Sequence, residues 1–265
     1  MEPYQALKEL MRSRESVMVA FSGGVDSTVV ALAAIEAIGR RCALVMIDNG
    51  AIPRGEIENA ERTALELGSP LRVLQVPVLD IQKIISNPYD RCGTCKERMM
   101  RMILDMAGKE GFQAVADGSN PEDTDDHRPG LITSTKMGIW HPLMETGIGK
   151  DVVRSILREK GISIHDNPST TCLMTRIPYG ERITREKLEL IDLIESRVRD
   201  MGSRDVRLRL FERSGGGYIG VLEVDGPERV IAHWDDISRG ISGVRLVLDP
   251  AGYRQGSLNA GLVPP

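Results

Sequence analysis

The sequence predicts an α/β protein: a parallel sheet with helices on both faces, followed by a smaller C-terminal α+β domain. Three observations predict it. Short apolar runs suited to buried strands alternate with helical patterns through the first half and beyond. A glycine-rich loop, Ser22 to Ser27, joins the first of these runs to a helix. Past Gly180 the pattern becomes one helix followed by strands, with an alternating Val206–Phe211 and a triple-glycine turn.

The elements follow in order. Residues 2–13 read as a short amphipathic helix, Ser16–Phe21 as a buried strand, and Thr28–Ile38 as a helix. Strands are expected at Arg41–Ile47, Leu71–Val76, Ala114–Ala116 and His141–Leu143, with helices at about 55–67 and 96–109. Lys150 stands just before a helix that runs to about Lys160. From Ser163 to Gly180 both periodicities fail, in a stretch dense in turn and hydroxyl residues; long loops of this kind are usually functional or disordered. It also separates the domains, 1–165 and 166–265. Thr184 then caps a helix from Arg185 to about Met201, with Leu188, Ile191, Leu193, Ile194 and Val198 as its apolar set. Strands at Val206–Phe211, Tyr218–Val224 and Val244–Leu248, with a helix near Glu228–His233, give a ββαβ unit.

A chain of 265 residues with 41% hydrophobic and 27% charged residues buries a real core. No apolar run is long enough to span a bilayer, and Met1-Glu2-Pro3-Tyr4 lacks the features of a signal peptide, so we expect a cytoplasmic protein without membrane partners. A net charge of −4 argues against broad nucleic-acid binding and for a small anionic partner met by local arginines. Four unevenly spaced cysteines do not form a secreted disulfide framework.

Ser22-Gly23-Gly24-Val25-Asp26-Ser27 carries the chemistry. Two glycines let the backbone approach a ligand closely, and the following helix directs free N–H groups and its positive dipole end to the same point. That suits a phosphate. Asp26 would repel it unless a magnesium ion intervenes, so the carboxylate argues for a metal-bound nucleotide. The P-loop lysine and the dinucleotide glycine pattern are both missing.

Ligands of parallel sheets sit at the carboxyl ends of the strands. That rule groups the loop with Asp48-Asn49-Gly50 and Asp117-Gly118-Ser119-Asn120. The acids that follow, Glu122, Asp123, Asp125 and Asp126, are candidates for magnesium; a solvated acidic loop is the bland reading. Asp48 either serves the nucleotide or caps a turn. Lys150, set against a helix dipole, either faces an anion such as phosphate or is simply an exposed lysine.

Cys92 and Cys95 form Cys-Gly-Thr-Cys at the start of the helix expected near Lys96, beside Arg91 and Lys96, a setting that favours thiolates. A redox pair would leave Cys172 unexplained; zinc would need a fourth ligand such as His165 or His141; an iron-sulfur cluster on three cysteines would leave one iron open. Cys42 reads as a buried strand residue. Arg207 and Arg209 share one strand face and suit a substrate phosphate or carboxylate, the alternative being an edge strand made soluble by charge.

Ser-Gly-Gly-Val-Asp-Ser resembles the PP-loop of the ATP pyrophosphatases, which bind the pyrophosphate of ATP there and transfer AMP. With Asp117–Asn120, Arg128-Pro129-Gly130, Cys172-Leu173-x-x-Arg176-Ile177-Pro178-Tyr179-Gly180, Val206-Arg207-x-Arg209 and the tail Gly252–Asn259, the sequence resembles the LarE-type ATP-dependent sulfur transferases over nearly its whole length. The resemblance implies a Rossmann-like sheet of the adenine nucleotide alpha hydrolase type and ATP and Mg2+ as cofactors. It also implies adenylation of a carboxylate on a pyridinium biscarboxylic acid mononucleotide, then sulfur insertion toward the nickel-pincer nucleotide cofactor. ATP would be held by Ser22, Gly23, Gly24, Val25, Asp26, Ser27, Asp48, Gly118 and Lys150, and the substrate by Arg207, Arg209 and, by family analogy alone, Glu223. Asp26, Cys172 and Arg176 would serve the chemistry. Some relatives use the cysteine matching Cys172 as a sacrificial sulfur donor and lack the Cys-x-x-Cys pair. This chain resembles the branch thought to carry a 4Fe-4S cluster, on Cys92, Cys95 and Cys172. Its sulfide donor is not legible, and a homo-oligomer is expected.

Two alternatives stand beside this reading. A tRNA-thiolating PP-loop enzyme would also proceed through adenylation, but a sequence pI of about 5.7 and the absence of a recognisable RNA-binding module count against it. A non-catalytic nucleotide or metal sensor would release neither AMP nor pyrophosphate.

Overall fold

The computed structural model describes residues 2–124, 129–167 and 170–254. Asp125, Asp126, Arg128 and residues 255–259 of the tail motif lie outside them. The chain divides into two compact units, one of Met1–Gly50, Arg54–Val78 and Asp90–Thr170, the other of Ala51–Pro53, Leu79–Tyr89 and Thr171–Pro265.

The first unit begins with α1 (Pro3–Arg12), which has proline at its first position and buries Tyr4, Leu7 and Met11. Then come β1 (Val17–Ala20), α2 (Val25–Ile38), β2 (Cys42–Asp48), α3 (Arg54–Glu66) and β3 (Leu71–Gln75). Helix α4 (Gln82–Ile85) belongs to the second unit. The first resumes with α5 (Arg91–Glu110), β4 (Ala114–Ala116), α6 (Pro129–Lys136), α7 (Pro142–Thr146) and α8 (Lys150–Glu159). Its sheet is parallel, in the order β3-β2-β1-β4, with Val17 paired to Cys42 on one side and to Ala114 on the other. The glycine-rich loop therefore leaves the strand that β2 and β4 flank. Helix α2 is apolar nearly all round, as a helix covered on several sides must be, and packs against α1 and α8.

Two expected elements differ. His141–Leu143 is not a strand: only Trp140 bridges to Ala116, and Pro142 opens α7, because proline lacks the N–H a ladder needs and its φ suits a helix start. Helix α5 starts at Arg91, five residues before Lys96, with Gly93 and Thr94 N–H both donating to the Asp90 carbonyl. Gly93 and Thr94 are poor helix formers, which hid this turn.

The second unit adds α9 (Arg185–Asp200), β5 (Val206–Glu212), β6 (Tyr218–Val224), α10 (Pro227–Ala232), α11 (Trp234–Ser238) and β7 (Val244–Leu248). Its sheet runs β5-β6-β7, antiparallel then parallel. The Thr184 side chain accepts from the Lys187 N–H and caps α9, whose Leu188, Ile191, Ile194 and Val198 are buried. Leu193 is exposed instead. Much of the stretch after Thr171 is ordered by an earlier segment. The Asn87 amide donates to the Ile177 and Pro178 carbonyls, the Gly180 N–H donates to the Asn87 carbonyl, and Ile183 N–H to that of Ile85. Asn87 sits at φ 57°, which asparagine tolerates better than most residues.

Candidate functional site

In the first unit the glycine-rich loop is braced by its own serines. The Ser22 N–H donates to Ser27 Oγ at 3.2 Å, the Gly24 N–H to Ser22 Oγ at 3.3 Å, and Ser27 Oγ to the Gly24 carbonyl at 3.0 Å. Gly23 is obligatory: it has φ 75°, and a Cβ there would lie 2.7 Å from the Ala60 backbone. Gly24 has ordinary dihedrals and caps α2 with no side chain, so the first N–H groups of α2 open onto a bare backbone. The β4 loop comes against this one so closely that a Cβ on Gly118 would fall 2.5 Å from the Ser27 nitrogen.

Asp26 stands in the first turn of α2. Burial pushes its carboxyl above the ordinary range; Asp123 and Glu122 add to this, while the Asn120 side chain and Lys150 offset it. Its Oδ1 is buried without a well-formed hydrogen bond, as are Asn120 Nδ2 and Thr28 Oγ1. An orphaned carboxylate oxygen among further acids, next to open helix N–H groups, fits a phosphate-bound magnesium ion, which commonly takes one or two carboxylates.

The flanking residues are engaged as follows. Asp48 Oδ1 accepts from the Gly50 N–H at 2.9 Å and its Oδ2 from Gln75, a turn-holding role. Lys150 is the first residue of α8, and the anion it faces is Glu122, whose carboxylate accepts from the Lys150 N–H at 2.9 Å with Nζ 3.8 Å away. Asp123 accepts from the Asn120 N–H. Buried Asp117 accepts from His141 Nδ1 at 2.7 Å, Lys96 Nζ at 3.4 Å and the Ser119 N–H at 3.0 Å. Burial alone would raise the Asp117 carboxyl, but the His141 hydrogen bond and the Lys96 and His141 charges hold it well below the carboxylate range.

Cys92 and Cys95 lie one turn apart on α5. Arg91 Nη2 donates to Cys92 Sγ at 3.5 Å, and Asn49 Nδ2 to Cys95 Sγ at 3.8 Å. Burial pushes the Cys42 thiol up to about 12, an inert strand residue. Among the described residues no three His, Cys, Asp or Glu side chains are grouped to hold a metal ion. Cys92 and Cys95 belong to the first unit and Cys172 to the second.

In the second unit Cys172 precedes a 3-10 turn, Leu173–Arg176. Arg176 is buried within it: Nη1 donates to the Thr171 and Cys172 carbonyls and to the Thr171 and Thr175 hydroxyls, while the rest of the guanidinium pairs with Glu195. Arg207 and Arg209 share a face, as their spacing requires, but both are buried. Arg209 pairs with Glu223 at 3.0 Å and donates to the Thr175 carbonyl. The Arg207 guanidinium lies over the Tyr253 ring, 4.9 Å from its centre. Glu195 was not anticipated; its signal was a charge at the helical spacing of Leu188 and Ile191, inside the apolar stripe.

A parallel sheet whose central strand feeds a Ser-Gly-Gly-x-Asp-Ser loop, followed by a separate α+β unit, defines a PP-loop nucleotide enzyme. The asparagine synthase family profile matches residues 4–118. An uncharacterized protein of Synechocystis sp. is 30% identical, covering 96% of this chain and 95% of its own length. The pyridinium-3,5-bisthiocarboxylic acid mononucleotide synthase of Lactiplantibacillus plantarum is 29% identical over 96% and 91%. An uncharacterized protein of Methanocaldococcus jannaschii is 28% identical over 89% and 84%. The chain belongs to the LarE-type family of ATP-dependent sulfur transferases. Among the described residues no helix is long and apolar enough to cross a membrane.

Proposed function

We propose that the protein adenylates a carboxylate of pyridinium-3,5-biscarboxylic acid mononucleotide and converts it to a thiocarboxylate, a step toward the nickel-pincer nucleotide cofactor. The observation that carries this reading is the bare-backbone loop with its orphaned Asp26 oxygen, in a chain similar along nearly its full length to a bisthiocarboxylic acid mononucleotide synthase. The N–H groups of the first turn of α2 bind the β,γ-pyrophosphate of ATP, and Asp26 holds Mg2+ against it. A substrate carboxylate oxygen attacks the α-phosphorus, the bond to the β-phosphate oxygen breaks, and pyrophosphate leaves. A hydrosulfide-class nucleophile then attacks the acyl carbon, the bond from that carbon to the bridging oxygen breaks, and AMP leaves carrying the carboxylate oxygen that had attacked phosphorus.

Arg207 receives the substrate phosphate, with Arg209 and Glu223 as a paired support beneath it. Arg176 spends Nη1 on the turn that carries Cys172 and anchors its other donors on Glu195, so its role is to fix that turn. Cys92, Cys95 and Cys172 would hold a 4Fe-4S cluster: thiols are the donor type such clusters take, and when bound on three of them the cluster would supply one open iron for sulfide. By the family resemblance the protein acts in the cytoplasm as a homo-oligomer, which light scattering tests for assembly.

Protein purified without oxygen should release pyrophosphate from ATP only with the mononucleotide present, release AMP once sulfide is added, and give the thiocarboxylate by mass spectrometry. ADP as product overturns the adenylation. Activity with a tRNA in place of the mononucleotide moves the function to RNA thiolation. Iron and acid-labile sulfide near zero in active protein removes the cluster and leaves the rest.

A further inference from the structure

Helix α5 carries Cys92 and Cys95, yet its first turns are tied to both loops that flank the glycine-rich one. Asn49, 3% exposed, follows β2 in a turn pinned by the Asp48 bond to the Gly50 N–H. Its amide donates to Cys95 Sγ at 3.8 Å and to Met99 Sδ at 3.7 Å. Lys96 reaches Asp117 at 3.4 Å in the loop after β4, where Gly118 abuts the Ser27 backbone. An amide is costly to bury without partners, and one aimed at two sulfurs selects their positions rather than serving a generic core. Because β2 and β4 are the two neighbours of β1, a shift of either loop around a nucleotide is passed to the start of a stiff helix.

We propose that Asn49 is a positioning residue that joins the Cys95 sulfur to the nucleotide site, so that the cysteine responds to nucleotide occupancy. The inference rests on the nucleotide site described above and is independent of any cluster. It is tested on the reduced, cluster-free full chain with α,β-methylene-ATP and Mg2+, an analogue that cannot be cleaved between the α and β phosphates. Calorimetry measures binding, and peptide mass spectrometry follows iodoacetamide labelling of Cys95, normalised to a cysteine-free peptide of the same digest. Buried Cys95 is labelled only through local opening, and the analogue is expected to slow that labelling several-fold. In Asn49→Leu, and in Asn49→Ser should the first fold poorly, labelling should be faster and no longer respond to saturating analogue. A purely structural amide would change the rate and leave the nucleotide response intact, which overturns the proposal. An unchanged Cys95 rate in the natural chain despite measured binding also overturns it. Absence of binding overturns the nucleotide site as well.

Discussion

Arg176 and Glu195 meet as a fully buried two-pronged ion pair, Nε to Oε1 at 2.8 Å and Nη2 to Oε2 at 3.0 Å. Glu195 also accepts from Arg199 and from the Leu208 N–H, so it links α9, β5 and the turn bearing Cys172. Arg176→Met should destabilise the protein by about 3–5 kcal/mol, because it strands a buried carboxylate. Joint replacement with Glu195→Leu should recover most of this in urea titrations. Burial would raise the Glu195 carboxyl, but the Arg176 charge and hydrogen bonds, then Arg199 and Leu208, hold it below its ordinary value. Its contribution is therefore present above the unfolded-state pKa and lost as pH falls toward the folded one. Stability of Glu195→Gln should depend less steeply on acid than that of the natural chain.

The two loop glycines should fail differently. Gly23→Val meets the Ala60 backbone at a left-handed φ, and no soluble folded protein is expected. Gly24→Val has an extended backbone that valine adopts readily, with its nearest neighbour, Ser22 Oγ, 3.4 Å from the new Cβ. It should melt near the natural temperature and release no pyrophosphate, since its side chain blocks the approach of phosphate to the α2 N–H groups. Retained turnover in Gly24→Val would remove this loop from the phosphate site.

The proposed magnesium role of Asp26 should come at a cost in stability. Its folded pKa is raised chiefly by burial, so the stability it contributes is fully present only below its unfolded value and is lost as pH rises through the folded one. Asp26→Asn should therefore raise the melting temperature of the nucleotide-free protein at neutral pH while abolishing magnesium-dependent pyrophosphate release. A lowered melting temperature would mean that the orphaned oxygen has a structural partner.

What could be read from the chain depended on how local the signal was. The glycine-rich loop, its flanking strands and the Thr184 cap each declare themselves within a few residues. Pairings between distant segments do not. Nothing near Asn87 announces that it holds residues 177–180, and nothing near Glu122 that its carboxylate caps α8 at Lys150, the position expected to meet a phosphate. Arg207 and Arg209 were legible as a shared face. Their burial was not, because it depends on Glu223 and Tyr253, which approach from β6 and from beyond β7.

The sulfur source separates two chemistries at Cys172. If sulfide is the donor, the Cys172 side chain survives turnover and its mass is unchanged. If the thiol itself is surrendered, β-elimination removes hydrogen sulfide and leaves dehydroalanine, a loss that peptide mass spectrometry resolves after a single turnover. The other two sulfurs each accept from a polar side chain, Cys92 from Arg91 and Cys95 from Asn49. Cys92→Ala and Cys95→Ala should then each abolish sulfur transfer, together with iron and colour in anaerobically purified protein, while pyrophosphate release persists because the adenylation loop is untouched. Full sulfur transfer in both variants, with the mass loss at Cys172, would establish the sacrificial route and leave the Cys-x-x-Cys turn a structural feature of α5.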